Sequence, residues 1–154
     1  MTKHADITIQ QLTTNDQTRM AELLTLFGHA FDDVETYSGR RPSEAYMQRL
    51  LSQDHFIVLV AIRDDAVVGG IAAYELMKFE QERSEIYLYD LAVASDQRRQ
   101  GVATTLIHAL QQLAAQRGAC VIFVQADAGD DPAIALYTKF GTPEFVYHFD
   151  LTAP

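Results

Sequence analysis

Residues 91–105 read Leu-Ala-Val-Ala-Ser-Asp-Gln-Arg-Arg-Gln-Gly-Val-Ala-Thr-Thr. An apolar strand ends, a short basic loop follows, and a helix starts at a glycine. The first N–H groups of a helix lack intrahelical partners, and the helix dipole favours an anion there. Gly101 lets the main chain approach a ligand, Ala103 keeps the surface low, and Arg98 and Arg99 add positive charge. With Gln100, Val102 and Thr104 they make a candidate diphosphate cradle. The loop lacks the Lys-Ser/Thr of a Walker sequence and the glycine spacing of dinucleotide folds.

The strand before this loop carries two acids, Glu85 and Asp90. A carboxylate inside an otherwise apolar strand is costly unless partnered, which marks Asp90. On strict alternation Asp90 shares a face with Ile86, Leu88 and Ala92, and Glu85 one with Tyr87, Tyr89 and Leu91. The five histidines, His4, His29, His55, His108 and His148, are scattered without metal-ligand spacing, so no metal is expected.

The elements that position these groups follow from periodicity. Ile7 and Ile9 mark a short strand. From Gln17, apolar residues at spacings of three and four predict a helix through Phe31. An acidic stretch, Asp32 to Arg41, precedes a second helix opened by Pro42-Ser43. His55–Ile62 and Val67–Met77 form a hairpin around Arg63-Asp64-Asp65, and Glu85–Val93 is a further strand. The helix after Gly101 buries Val102, Leu106, Leu110 and Leu113 and ends at Gly118 as its C′ residue. Ala119–Gln125 reads as a buried strand. Asp131 caps a last helix with Pro132 at N1, and Glu144–Asp150 is a final strand. The expected fold is α/β, with a mixed sheet of about six to seven strands and helices on both faces.

The length, 154 residues, fits one domain over 1–154. With 12 Lys and Arg against 21 Asp and Glu, the net charge is −9. Nucleic acid and anionic membranes would repel such a surface, while cationic ligands would not be repelled. The single cysteine, Cys120, excludes an internal disulfide and reads as a small buried hydrophobe in the run Ala119–Val124. Met1–Thr13 is polar, and no apolar run approaches the ~20 residues of a membrane span, so a soluble cytoplasmic protein is expected. No exposed apolar stripe stands out as a partner surface.

Arg98-x-x-Gly101-x-Ala103 is similar to the Gln/Arg-x-x-Gly-x-Gly/Ala motif of the GNAT N-acetyltransferases. Leu91-Ala92-Val93 resembles the strand whose backbone pairs with the pantetheine arm. Asp130-Asp-Pro-Ala-Ile-Ala-Leu-Tyr137-Thr-Lys-Phe-Gly141 is similar to the family's Asn-x-x-Ala-x-x-x-Tyr-x-x-x-Gly helix. Phe31–Ser38, Lys78–Gln81, Arg83–Val93 and Gln125–Ala133 further resemble the type I aminoglycoside 3-N-acetyltransferases. The resemblance implies the GNAT fold, acetyl-CoA as acetyl donor, and transfer to the 3-amino group of a 2-deoxystreptamine ring of gentamicin type. It also implies a bulge in the strand of Asp90, and a homodimer is expected with it.

An amine at neutral pH must lose a proton before it attacks a thioester. Asp90 is the first candidate base and Glu85 the second. Tyr137 matches the family tyrosine that protonates the departing thiolate, and a strand N–H near Leu91 or Ala92 would meet the oxyanion. A polycationic aminosugar would be received by Asp33, Glu35, Glu80, Asp127 and Asp130, with Tyr37 packing a sugar ring or covering the core. Asp130 departs from the family's Asn and cannot donate a hydrogen bond when ionised. Acetylation of another small amine, polyamine or protein lysine is the alternative, and a noncatalytic acetyl-CoA sensor the third reading.

Overall fold

The computed structural model describes residues 6–154; His4 and the start of the polar N-terminal segment lie outside them. The chain runs β1 (Thr8–Gln11), α1 (Gln17–Ala30), a π-helical turn (Glu35–Gly39), α2 (Glu44–Leu51), β2 (Phe56–Arg63), β3 (Ala66–Met77) and β4 (Ser84–Val93). It continues through a single 3₁₀ turn to α3 (Val102–Arg117), β5 (Ala119–Val124) and α4 (Asp131–Thr138). The sheet order is β1-β2-β3-β4-β5. The first three pairings are antiparallel, and β4 pairs with β5 in parallel. A parallel pair needs a crossover, which α3 supplies. Asp64 and Asp65 both adopt positive φ, as a two-residue hairpin turn demands.

The sheet is covered on both faces, because β2 and β3 are apolar at consecutive positions. On one face Met20, Leu23, Phe27, Met47 and Leu51 of α1 and α2 pack on Phe56, Val58, Val60, Ala72 and Ala92. On the other, Val102, Leu106, Leu110 and Ala114 of α3 pack on Ile57, Leu59, Ile71, Ala73, Ile86 and Leu88. Gly69 and Gly70 let the helices close on β3 from both sides. A Cβ at Gly70 would collide with Leu23, and one at Gly69 would lie 3.1 Å from Val102. Ser43 Oγ accepts the Tyr46 N–H at 3.2 Å and starts α2. Gly118 ends α3 with φ +75°, as its position predicts.

Four expectations are corrected. The sheet has five strands, not six or seven, because residues 144–150 pair with nothing among the described residues. Their alternation records strand propensity, but a strand also needs a neighbour. The cap of α4 is Asp130, whose Oδ1 accepts the Ala133 N–H at 3.3 Å; Asp131 and Pro132 lie inside the helix. Cys120 is exposed, and β5 is only partly buried. Large apolar side chains of the C-terminal segment are exposed in a row, so an apolar stripe does exist. No helix among the described residues is long and apolar enough to cross a membrane.

Candidate active site

The ladder between β4 and β5 ends at Leu88 and Val124, while β4 continues to Val93. Residues Asp90–Val93 therefore pair with β3 on one edge and with no strand on the other among the described residues. Leu91, Ala92 and Val93 lie in this opening, along an edge with which no strand among the described residues pairs, suited to an extended ligand.

The same strand contains a bulge. Ala72 faces Asp90 and Ala73 faces Leu88, so Tyr89 is the extra residue. Its effect is to reverse the alternation. Ile86 and Leu88 pack on the α3 side, whereas Ala92 packs on the α1 side. Asp90, two residues from Ala92, leaves the face it would share with Leu88 under strict alternation.

Tyr37, on the π-helical turn, donates its hydroxyl hydrogen to Asp90 Oδ2 at 2.9 Å. Burial pushes the Asp90 carboxyl above the ordinary carboxylate range, and the Tyr37 hydrogen bond opposes that shift. Burial and the Asp90 charge raise the Tyr37 phenol, keeping it protonated as a donor. Phe27 and Phe31 seat the Tyr37 ring, with centroids at 5.9 and 5.6 Å. The Tyr37 ring packs against the α1-side core. Its hydroxyl holds the carboxylate.

Tyr137 of α4 packs against the α3-side core. Burial pushes its phenol up to about 12, aided by the charges of Asp130 and Asp90. At neutral pH it is a proton donor. Asp33 also bears on Tyr37, and its Oδ1 accepts the Thr36 N–H at 3.2 Å. Glu35 is exposed on the same turn, and Asp127 is exposed in the loop after β5. The acids at 33, 90 and 130 therefore act on one pair of tyrosines. Glu80 and Glu85 sit apart from them. Lys78 pairs with both, at 3.5 and 3.6 Å, at the 78–83 end of the hairpin. Glu85 is five residues before Asp90, roughly 16 Å along a strand.

At the head of α3, Gly101 adopts φ +79° and Arg99 φ +59°. No side chain caps this helix start, so the N–H groups of Val102, Ala103 and Thr104 remain available to an anion. Arg98 donates to the Val93 carbonyl at 3.5 Å. Buried Arg63 at the end of β2 donates to Gln97 Oε1 at 2.5 Å and Gln100 Oε1 at 2.7 Å, which ties the loop to the sheet. A Cβ at position 101 would meet nothing, so the glycine answers to backbone conformation alone. The left-handed region costs a non-glycine residue about 1–2 kcal/mol, and a β-branched one is a genuine outlier there. Gly101→Val is expected to raise KM for acetyl-CoA about tenfold, measured by CoA release, with little change in kcat at saturation.

Three features escaped sequence reasoning. One is the Tyr37–Asp90 bond, between residues 53 positions apart. Another is Arg63, signalled only as an arginine ending an apolar strand. The last is a row of rings across four strands, Phe56, Tyr74, Tyr89, Tyr87 and Phe123, with neighbouring centroids 4.7–5.8 Å apart. Among the described residues no group of His, Cys, Asp and Glu is arranged to hold a metal.

The site thus joins a parallel ladder that stops short of the end of β4, an uncapped helix start and a part-buried acid. Residues 20–142 match the acetyltransferase (GNAT) family, and the chain belongs to it. Among solved structures it is 56% identical to the aminoglycoside acetyltransferase HMB0005 from an uncultured soil metagenomic sample, with TM-score 0.95 over 97% of this chain and 99% of that one. It is 34% identical to the aminoglycoside acetyltransferase meta-AAC0020 from a soil metagenomic sample, solved with sisomicin, with TM-score 0.89 over 96% and 97% of the two chains. An uncharacterized N-acetyltransferase, YhfO of Bacillus subtilis (strain 168), is 25% identical over 95% of this chain and 97% of its own.

Proposed function

We propose that this protein is an aminoglycoside 3-N-acetyltransferase, which moves the acetyl group of acetyl-CoA to the 3-amino group of the 2-deoxystreptamine ring of gentamicin-type antibiotics. Such a reaction, in the cytoplasm, would confer resistance. The carrying observation is Asp90, a part-buried carboxylate turned by the Tyr89 bulge to the hydroxyl of Tyr37. The 56% identity to an aminoglycoside acetyltransferase supports the substrate class.

Each step has a residue. Acetyl-CoA supplies an activated thioester. Arg98, Arg99, Gln100 and Gly101, with the N–H groups of Val102, Ala103 and Thr104, suit its diphosphate. The free edge at Leu91, Ala92 and Val93 suits its amide-bearing arm. Asp90 takes a proton from the substrate ammonium, so the neutral amine attacks the acyl carbon. Tyr137 gives a proton to the sulfur as the C–S bond breaks, and the proton the nitrogen sheds in becoming an amide restores the phenol through solvent. Asp33, Glu35, Asp127 and Asp130 are the acids that would receive the remaining ammonium groups; Glu80, paired with Lys78 at the other end of β4, would act only at long range.

Ionised Asp90 is the active form, so activity falls as pH drops through its pKa. Removing a hydrogen bond to the charged form raises that pKa further. Tyr37→Phe is therefore expected to move the acidic limb of kcat/KM to higher pH and leave the alkaline limb in place. A pH profile with acetyl-CoA and sisomicin reads this; an unmoved acidic limb would detach Tyr37 from the base.

A substrate panel with acetyl-CoA tests the reading as a whole. Gentamicin and sisomicin should release free thiol and give products acetylated at the 3-amino nitrogen, assigned by NMR. Faster turnover of spermidine or a lysine peptide would transfer the assignment to those amines. A 6′-acetylated product would reassign the position. No turnover of any aminoglycoside would sink the proposal.

A further inference from the structure

The core claims only the first part of the ring row that crosses the sheet. Phe56 of β2 is buried, and Tyr74 of β3 lies at the edge of the α1-side cluster. The row then continues onto β4 and β5. Tyr89 meets Tyr74 at 5.8 Å and Tyr87 at 5.5 Å, and Tyr87 stacks on Phe123 at 4.7 Å and 8°. The Tyr87 hydroxyl donates to Gln125 Oε1 at 2.8 Å, which fixes its ring. Tyr89 is held by rings on two sides and is nonetheless 58% exposed. Large aligned rings that stay open to solvent mark a binding surface.

The bulge of β4 decides what this surface adjoins. A regular strand sends neighbouring side chains to opposite faces. At a bulge two residues stand opposite one. Here Tyr89 turns to the ring of Tyr74 and Asp90 to the hydroxyl of Tyr37, so both lie on the α1 side. Ring and carboxylate are thus neighbours in sequence and share a face. Burial raises the phenols of Tyr74 and Tyr87, and the nearby Tyr89 and Asp90 raise both further. At neutral pH the row therefore offers uncharged π faces beside one carboxylate. The β4 edge at Leu91–Val93, suited to the acyl donor, lies beyond Asp90 on the far side.

An aminosugar has two kinds of surface. Its edge carries ammonium and hydroxyl groups, and its ring faces are C–H groups made electropositive by the adjacent ammonium. Such a face packs on the electron-rich face of an aromatic ring, and the ammonium adds a cation–π attraction. We propose that Tyr89 and Tyr87, backed by Phe123, form the floor on which the acceptor's sugar rings lie. The ring that bears the reacting amine takes Tyr89, which puts its nitrogen at Asp90, and the next ring extends toward Tyr87. This assignment rests on the aminoglycoside reading and deepens it.

Tyr89→Ala should raise KM for sisomicin about tenfold, with kcat and KM for acetyl-CoA little changed. Tyr89→Phe should recover most of that loss, because the ring face and not the hydroxyl binds. Tyr89→Leu, apolar but without a π face, should not. The chain contains no tryptophan, so Tyr89→Trp places a single indole at the floor, whose emission should change as sisomicin is added and saturate as the site fills. Three results would each overturn the floor in an enzyme that still acetylates aminoglycosides: an unaltered sisomicin KM in Tyr89→Ala, a Tyr89→Leu variant equal to Tyr89→Phe, or an indole indifferent to saturating sisomicin. A wild type inactive on every aminoglycoside would overturn both the floor and the reading beneath it.

Discussion

Asp90→Asn is expected to lower kcat about 10²-fold or more, the scale set by losing a general base, while KM for acetyl-CoA changes little. The amide keeps the size and shape of the carboxylate but cannot accept the ammonium proton. It retains a carbonyl oxygen for the Tyr37 hydroxyl, so the site stays assembled. Burial has raised the carboxyl from its ordinary value, which brings it closer to neutral pH and makes it a better base. Steady-state rates of CoA release from sisomicin at saturating acetyl-CoA read the effect. A near-wild-type rate would pass the proton to water. Glu85 is poorly placed to receive it, because Lys78 pairs with it at 3.6 Å.

Phe27→Ala is expected to cost about 3–5 kcal/mol of stability, the usual range for emptying a buried phenylalanine site. For a chain of this size that corresponds to a drop in Tm of roughly 6–20 °C. Phe27 is 1% exposed and lies between α1 and the sheet. It stacks on Phe31 at 5.5 Å and meets the Tyr37 ring edge-on. The vacated space removes the seat of Tyr37, and the hydroxyl that holds Asp90 is loosened with it. Urea unfolding should show a lower midpoint at unchanged slope. Below the new Tm, kcat should fall further than in a substitution of similar cost on the α3 side, such as Leu110→Ala. Equal loss of rate in the two variants would separate Tyr37 from Phe27.

Local signals were legible in the sequence. Gly101 and Gly118 both have the left-handed φ that their places at the ends of α3 predict. Apolar periodicity located α1, β2, β3, β4 and α3, because in each the repeat matches the face that is buried. Asp90 was marked by the cost of a lone carboxylate among apolar neighbours. What escaped depends on long-range geometry. Neither Tyr37 nor Arg63 carries a sign of its partner, since each bond joins segments far apart in the chain. The last strand failed for a related reason: alternation at residues 145–151 specifies a strand but not where its ladder is. Composition alone makes β5 look buried, whereas its outer edge is open and Cys120 is exposed.

The extra residue at Tyr89 makes the catalytic reading frame of β4 separate from its folding frame. A one-residue deletion there would let the two strands mend into a regular ladder, and spectroscopic measures of fold would register little. Every side chain beyond the deletion would keep its side, with Leu88 still opposite Ala73 and Asp90 still opposite Ala72. One residue added to β3 between Ala72 and Ala73 would instead pair Tyr89 regularly and turn the carboxylate to the face of Leu88, Leu106 and Leu110, where an unpaired charge has no partner. In lineages descended from this chain, loss of the bulge residue therefore leaves the carboxylate on its face, while a single residue gained opposite it in β3 removes the chemistry at once.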